Sequence, residues 1–273
     1  MNTQQSAKPI RLQILETLPI VSSYARTRGP SFVMAWAHRI SGLVLVGYLL
    51  FHLLTLSLLA DPKLFEAKMS TLDTPFFVFL EFLLAVPLIF HALNGTGLML
   101  YESFGKRDNA HMLYWLGSLG LIYLLLLGLL MGLGDQTVSA ILFGMVVLAG
   151  GLIVSGYAFQ KIWWTRNAAL WKVQRLIAAF LLVVLPGHML FMHLSPTLGH
   201  QAETILARIQ LPFLQFLYLL TVLGVIYHAS YGLYSIIQDY IGKQLLRFGL
   251  IAVLFLFTVF LLFLGLRLTF FIA

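Results

Sequence analysis

Four histidines carry the strongest chemical signal in this sequence, because they occupy matched positions in two segments. An arginine, two histidines, a glycine and an acid recur in the same order and with almost the same spacing. The first set is Arg39, His52, His91, Gly95 and Glu102, and the second is Arg175, His188, His228, Gly232 and Asp239. The histidines lie inside apolar runs, where an ionisable side chain is costly and usually functional. Two matched pairs of imidazoles predict a cofactor with two axial nitrogen ligands, and haem b is the leading candidate.

A simpler interpretation exists for each residue of the pattern. A single histidine could hydrogen-bond between helices, as polar residues in membrane bundles often do, but four in register favour the cofactor. His193 lies shortly after His188 and is an alternative to it as a ligand. Gly95 and Gly232 each follow a histidine by about one helical turn and share its helix face. They would let a flat macrocycle approach, or serve ordinary helix packing.

The composition excludes an ordinary soluble domain. The chain of 273 residues is 60% hydrophobic and 10% charged, with a mean hydropathy of +0.92, which is typical of a membrane protein. Cysteine is absent, so this chain can hold no cysteine-ligated iron–sulfur cluster, no disulfide and no covalently attached haem. Any haem in it must be bound non-covalently.

The hydropathy pattern predicts an all-α integral membrane protein with seven transmembrane helices. Each apolar run reaches the roughly 20 residues that one span requires. The predicted spans are 32–60, 75–101, 111–133, 137–160, 171–195, 211–238 and 245–272.

The basic residues predict the orientation. Most of the 17 Lys and Arg residues fall on one side of the predicted spans, and such residues favour the cytoplasmic side. The N-terminus is therefore expected inside and the C-terminus outside, most simply in a bacterial inner membrane. The segment before the first span lacks the apolar core of a signal peptide and is expected to be a cytosolic tail. The net charge of +7 is explained by this topology and requires no nucleic acid.

The repeat explains the odd number of spans. Three spans take the chain from inside to outside, so a second unit of the same orientation needs one returning span before it. We therefore predict a cytosolic tail at 1–30, a three-helix unit at 31–133, a connector helix at 134–165 and a second three-helix unit at 166–273. Such tandem units are related by an axis along the membrane normal.

The histidines are expected at two depths in the membrane. A rise of about 1.5 Å per residue puts His52 and His188 roughly 12–14 Å below the outer surface, and His91 and His228 roughly 24–26 Å below it. Each layer then holds one histidine from each unit. Two stacked bis-histidine haems would fit this arrangement.

Four segments resemble the membrane-anchor cytochrome b subunits of succinate:quinone oxidoreductases and quinol:fumarate reductases. HRISGLVLVGYLLFH at 38–52 and FHALNGTGLMLYE at 90–102 resemble the larger anchor subunit, and WKVQRLIAAFLLVVLPGH at 171–188 and YHASYGLYSIIQDYI at 227–241 resemble the smaller one. The chain looks like both anchors fused, with the fourth span as the splice.

The resemblance implies roles for individual residues. His91 and His228 would bind the haem nearer the cytosol, and His52 and His188 a second haem, with Arg175 among the cofactor-binding residues. Arg39 and Tyr240 would line an inner quinone pocket, with His38 and Asp239 beside them. The residues with implied roles in the cofactor sites and the inner pocket are His52, His91, His188, His228, Arg175, Arg39, Asp239 and Tyr240.

One departure from the family pattern bears on the quinone. A serine that often stands one helical turn before the pocket arginine is replaced here by Ala35. Two haems and a weakened inner site would favour an outer quinol site, where Glu66 and Glu81 could handle the proton. Menaquinone is one candidate for the quinone.

The missing parts define the partners that the resemblance implies. Dicarboxylate chemistry needs a flavin, and the chain has no dinucleotide-binding fingerprint; an iron–sulfur relay needs cysteines, which are absent. An FAD-containing flavoprotein subunit and an iron–sulfur subunit are therefore expected on the cytosolic face. Two alternatives stay open. One is a small-solute or proton-coupled transporter with a three-plus-one-plus-three helix plan, and the other is the cytochrome b subunit of a hydrogenase or formate dehydrogenase.

Overall fold

The structure, a computed structural model, describes residues 30–104 and 109–272, and no strand occurs among them. Ten α-helices follow one another in these ranges, numbered here α1 to α10. They are α1 (Pro30–Ser57), α2 (Pro62–Leu72), α3 (Pro75–Phe104), α4 (Asn109–Leu133), α5 (Ala140–Ile162), α6 (Ala169–Leu194), α7 (Pro196–Gly199), α8 (Ala202–Gln210), α9 (Pro212–Tyr240) and α10 (Gln244–Arg267). A 3₁₀ turn, Leu58–Ala60, extends α1, and a π turn, Leu268–Ile272, extends α10.

Six of the described helices are long and apolar enough to cross a membrane. The qualifying segments are Phe32–Ala60, Pro75–Tyr101, Ala140–Ile162, Ala169–Leu194, Pro212–Tyr240 and Gln244–Phe270. Their ends lie close to those of the predicted spans. The predicted span 111–133 corresponds to α4, in which the described apolar stretch, Gly117–Leu133, is shorter than a span. The molecule is thus an all-helical integral membrane protein, and the seventh span stays a prediction.

The ends of the helices follow local chemistry. Proline stands at the first turn of α2 and α9, where its missing N–H costs nothing. The Asp61 side chain caps α2 by accepting a hydrogen bond from the Leu64 N–H at 3.2 Å, and Ser139 caps α5 in the same way. Between α4 and α5 the chain turns at Gly134, whose φ of +74° suits glycine.

The two predicted three-helix units pack against each other along their length. Within the first unit α1 packs on α3, and within the second α6 and α10 pack on α9. Across the units α1 contacts α9 and α10, and α3 contacts α6. A buried cluster joins Leu53 of α1 to Ile226 of α9 and to Leu261 and Leu264 of α10. The helices that bear the four histidines therefore meet at one interface between the units.

The connector helix α5 belongs by its packing to the second unit. Its most extensive contact is with α6, where Ala158 and Ile162 bury against Ala179. A Cβ atom at Gly151 would lie 2.9 Å from the Phe180 ring, so the two helices approach closely there. The four histidines lie at the interface between α1, α3, α6 and α9.

Two short helices cover the end of the bundle at which α1 and α6 finish, called the outer end from here on. Phe65 of α2 and Ala202 of α8 are 1% and 0% exposed and share a buried cluster with Leu59, Ile209 and Leu268. This cap fixes the helix ends nearest to His52 and His188.

Candidate functional site

The first histidine pair joins α3 to α9. The ring centres of His91 and His228 lie 6.0 Å apart, and the planes of the two rings meet at 84°. The two residues come from different predicted units, so the interface between the units brings them together.

The second pair joins α1 to α6 and has nearly the same geometry. The ring centres of His52 and His188 lie 6.3 Å apart, with an angle of 78° between the ring planes. Each pair therefore takes one histidine from each unit, as the sequence pattern predicts.

This separation suits a metal bound by both imidazoles. A metal–imidazole bond is about 2 Å long and the bonding nitrogen lies about 1 Å from the ring centre, so two axial imidazoles would have centres about 6 Å apart. Among the described residues, no cluster of three or more His, Asp or Glu could hold a bare metal ion. Two facing imidazoles supply only two axial ligands, which suits a metal that brings its own equatorial ligands, as haem iron does.

Hydrogen bonds orient the ring of His91. Its Nδ1 lies 3.0 Å from the backbone oxygen of His38 and 3.2 Å from Oγ of Ser41, whose hydroxyl donates to the same His38 oxygen at 2.9 Å. A carbonyl only accepts, so Nδ1 carries the proton and Nε2 is left free to bind a metal.

Gln174 of α6 makes the corresponding contacts with His228. Its amide nitrogen lies 3.1 Å from Nδ1 and 3.2 Å from the backbone oxygen of His228. Gln174 is only 5% exposed. It directly precedes Arg175, just as His38 directly precedes Arg39, so equivalent positions of the two units approach the same atom of their own histidine.

Two buried polar atoms beside the His91–His228 pair have no hydrogen-bond partner. Within the described part of the chain, the unpartnered buried side-chain atoms are Nδ1 of His38 and Oε1 of Gln174. The His38 ring stacks on the His91 ring with 3.9 Å between the centres. Unpaired buried polar atoms are rare in proteins and call for a partner. Both belong to residues in direct contact with the inner histidines, which fits a site for a further group.

Glycines around this pair have unequal roles. A Cβ at Gly42 would lie 3.0 Å from Cε1 of His91, so the imidazole approaches α1 closely there. A Cβ at Gly95 would meet His38 at 3.4 Å, whereas nothing lies within 4 Å of one at Gly232. The space beside Gly232 is therefore open, as predicted, whereas the His38 side chain occupies the space beside Gly95.

The predicted inner pocket residues meet where α1 and α9 lie together. Arg39 donates one hydrogen bond to the Tyr240 hydroxyl at 2.7 Å and one to Oδ2 of Asp239 at 2.8 Å. The Asp239 side chain is 51% exposed, so it can exchange protons with solvent. Trp36 packs on the Tyr240 ring, with 5.1 Å between the ring centres. Arg175, at the equivalent position in α6, stacks on Trp171 at 4.8 Å.

Aromatic side chains surround the outer pair. Tyr48 stacks on His52 with 5.5 Å between the ring centres, and Tyr218 meets the edge of His188 at 6.3 Å. Neither imidazole makes a hydrogen bond within residues 30–104 and 109–272. The outer pair is thus held by ring packing, and the inner pair by polar contacts.

The two predicted outer acids have different partners. Oε1 of Glu81 lies 3.6 Å from Nε2 of His193, whose Nδ1–H donates to the Met189 oxygen at 2.7 Å. His193 therefore faces Glu81, and His188 is the histidine that faces His52. Glu66 instead accepts a hydrogen bond from the Ala202 N–H at 3.3 Å, which caps the start of α8.

Some residues of the site carry no sequence signal, and some predicted ones lie outside the described parts. The sequence analysis does not single out Ser41, Gln174, Trp36, Tyr48 or Tyr218. Of these, only Gln174 had a usable signal, its place directly before the arginine of the second set. The side chain of Glu102 and residues 1–29 of the predicted cytosolic tail lie outside the described residues.

Comparisons with known proteins identify the family of the chain. The family model for the succinate dehydrogenase/fumarate reductase transmembrane subunit matches residues 25–126 and 156–266. The chain is 33% identical over 110 residues to the succinate dehydrogenase 2 membrane subunit SdhC of Mycobacterium tuberculosis, an alignment that covers 39% of this chain and 81% of the relative. No solved structure matches the chain. Since the family model covers well over half of its residues, the chain belongs to the succinate dehydrogenase/fumarate reductase transmembrane subunits.

Proposed function

We propose that this subunit binds two b-type haems and relays electrons between a cytosolic iron–sulfur subunit and a membrane quinone. The observation that carries the proposal is the pair of histidine contacts across the unit interface, at 6.0 Å and 6.3 Å. Two independent pairs with the spacing of axial ligands are hard to explain by helix packing alone.

The chain's own residues fit haem b at both levels. His91 and His228 would hold the inner haem, and His52 and His188 the outer one. Haem b, when bound, supplies a one-electron redox centre. The protein sets the orientation of each imidazole and surrounds it with apolar helices that exclude water.

The fused-anchor interpretation has support from two sides. The family model matches two separate stretches of the chain, and the gap between them, 127–155, contains most of the predicted connector. Each histidine pair takes one member from each side of this gap. A chain that joins both anchor halves would build both haem sites alone.

The soluble partners are inferred from what the chain lacks. Without cysteine it has no cluster of its own, so an iron–sulfur subunit must deliver or accept the electrons, and an FAD-containing subunit must act on the dicarboxylate. The basic excess on the predicted inner side would face these partners in the cytosol, in a bacterial inner membrane. The exposed apolar surfaces of the spans would face the lipid bilayer.

The inner quinone pocket would be formed by Arg39, Asp239 and Tyr240. Arg39 and Tyr240 can donate hydrogen bonds to a quinone carbonyl, and the half-exposed Asp239 can pass protons from the cytosol. The network among the three is formed already, so their donors are preorganised. This favours the inner pocket despite the alanine at position 35.

An outer quinol site is the second candidate, and one contact supports it. Glu81 and His193 form an acid–base pair within a span, where such pairs usually serve proton transfer. Glu66 is the weaker member of that site because its carboxylate caps α8. The family assignment does not favour the transporter or the hydrogenase-type alternatives.

The test is to purify the complex from its membrane through a tag on this chain. We expect reduced-minus-oxidised b-type absorption, two haems per copy of the chain, and flavoprotein and iron–sulfur subunits in the same complex. His200→Gln is a control, since His200 lies 3.6 Å from Asp73 and belongs to neither pair, and should keep both haems. A complex that lacks b-type haem absorption would overturn the proposal.

A further inference from the structure

We infer that Gln174 is the positioning residue of the inner haem ligand His228, and that its amide oxygen accepts the Nδ1 proton when iron is bound. This inference rests on the proposed function, because it concerns how the chain prepares one haem ligand. It goes further by giving a role to a residue that neither the sequence pattern nor the family resemblance singles out.

The first step is the amide orientation. The Gln174 nitrogen faces Nδ1 and the backbone oxygen of His228 at 3.1 Å and 3.2 Å, and the Gln174 oxygen is buried without a partner. An amide oxygen in that position has lost its hydrogen bonds to water and gained none in return, which is costly. In this orientation the amide therefore leaves one hydrogen bond unmet.

The second step is the tautomer of the imidazole. An amide nitrogen that donates to Nδ1 leaves the ring proton on Nε2. A protonated Nε2 has no lone pair for a metal, so this form of His228 is not a ligand. Iron binding through Nε2 requires the proton on Nδ1, and Nδ1–H then requires an acceptor.

The third step is the comparison with the other unit. At the equivalent position, His91 already has such an acceptor, the backbone oxygen of His38 at 3.0 Å. Gln174 occupies the place in the second unit that His38 occupies in the first, and it reaches the same ring atom of His228. The two units thus solve the same requirement differently, one with a fixed carbonyl and the other with an amide that can turn.

Turning the amide of Gln174 by half a rotation meets the requirement. The oxygen then lies where the nitrogen lies now, within hydrogen-bonding distance of Nδ1. The amide oxygen then also faces the His228 carbonyl at the 3.2 Å that the nitrogen has now, an unfavourable contact that the new Nδ1–H bond must outweigh. The carbonyl keeps the hydrogen bond of its own helix, from the N–H one turn further on. An acceptor on Nδ1 also makes the imidazole a more basic ligand, which stabilises ferric iron.

The test compares Q174E and Q174L in the purified complex. Glutamate can accept but, when ionised, not donate, so Q174E should keep the inner haem and shift one haem midpoint potential downward. Leucine offers no acceptor, so Q174L should transfer haem to apomyoglobin about 10- to 100-fold faster than the parent, the usual loss when an outer-shell partner of a ligand is removed. Q215L is the control, because the Gln215 amide also bonds a backbone oxygen, that of Thr269, at 2.8 Å, and should change neither quantity.

Each outcome decides the inference. If Q174E loses haem as fast as Q174L, or if neither variant changes the potential or the transfer rate, Gln174 does not serve as the acceptor. Should Q174L fail to assemble, the midpoint shift of Q174E decides alone. If the parent complex has no bis-histidine haem, the proposed function itself is wrong. If the parent has normal haem and the Gln174 variants change neither the potential nor the transfer rate, only this inference is wrong.

Discussion

The inner and outer histidine pairs have nearly the same geometry but different surroundings. Both place two imidazoles about perpendicular, with centres 6.0 Å and 6.3 Å apart. Around the inner pair lie Ser41, Gln174 and the His38 carbonyl, all in polar contact with a ring nitrogen. Around the outer pair lie the rings of Tyr48 and Tyr218. A repeated scaffold can therefore keep the ligand spacing while the neighbours diverge.

Replacing the four histidines should have the largest effect on the two sites. We expect H91L and H228L to remove the inner haem, and H52L and H188L the outer haem, so that each leaves one haem per chain. Haem counting by pyridine haemochrome would measure this. Loss of the inner haem should also stop reduction of the outer haem by dicarboxylate, whereas loss of the outer haem should leave the inner one reducible. Unchanged haem counts in both members of a pair would contradict the assignment.

Substitutions of Arg39 and Glu81 distinguish a quinone site at the inner end from one at the outer end. R39Q removes the charged donor that would bind a quinone carbonyl, and one such hydrogen bond is worth about 1.5–3 kcal/mol, so quinone-linked kcat/KM should fall about 10- to 100-fold. E81Q should have a smaller effect. Oxidation of succinate with an artificial acceptor that takes electrons from the soluble subunits should stay normal in both variants, and R166Q, at an exposed cation, is the control. A larger loss in E81Q than in R39Q would assign the quinone to the outer end.

The different surroundings predict different redox properties for the two sites. A hydrogen bond that Nδ1–H donates to an acceptor makes an imidazole a more basic iron ligand and stabilises the ferric state, so it lowers a haem potential. The outer pair has aromatic packing in its place, and an apolar setting disfavours the extra charge of ferric haem. We expect the inner haem to have the lower midpoint potential of the two, which a redox titration monitored by absorbance would measure. The reverse order would show that the polar contacts do not set the potentials.

Gly42 tests how closely the inner pair depends on its helix. In G42A the new Cβ would lie 3.0 Å from Cε1 of His91, so the ring must shift slightly and the inner haem should bind more weakly. The outer haem should be unaffected. G47A is a matched control on the same helix, because nothing lies within 4 Å of a Cβ there, and alanine should stabilise that helix by up to about 1 kcal/mol. Equal spectra in G42A and G47A would show that the contact is unimportant.

Substitution of Glu66 should have the smallest effect, a small change in the stability of the helices that cover the outer end. Its carboxylate accepts from the Ala202 N–H, and loss of such a cap typically costs about 0.5–2 kcal/mol. E66A should lower the thermal midpoint slightly, and E66Q, which keeps an acceptor, should retain most of the stability and the quinone activity. Loss of quinol oxidation in E66Q at normal stability would restore Glu66 to the outer proton pathway.

Much of the architecture could be predicted because a span is defined by length and hydropathy. The six qualifying spans lie close to their predicted positions, and membership of the resembled family is confirmed. The repeat also predicted which histidines face each other, since it matches His52 with His188 and His91 with His228.

The neighbours of the histidines were harder to predict, because these helices are apolar all round. A helix of that kind has no polar face to show which side points at its partner. The Gln174 contact depends on the rotation of α6 against α9, and the Glu66 cap depends on how α2 folds back beside α8. His193 illustrates the same limit, since little more than one turn of helix separates a residue that faces His52 from one that faces Glu81.

The near-perpendicular rings described above have a magnetic consequence. Each axial imidazole interacts most strongly with the iron d orbital of matching orientation, so parallel rings separate the dxz and dyz energies and crossed rings leave them almost equal. With planes at 84° and 78°, the unpaired electron of low-spin ferric iron would keep a large orbital moment. Paramagnetic resonance of the oxidised complex would then show strongly anisotropic g values at both centres.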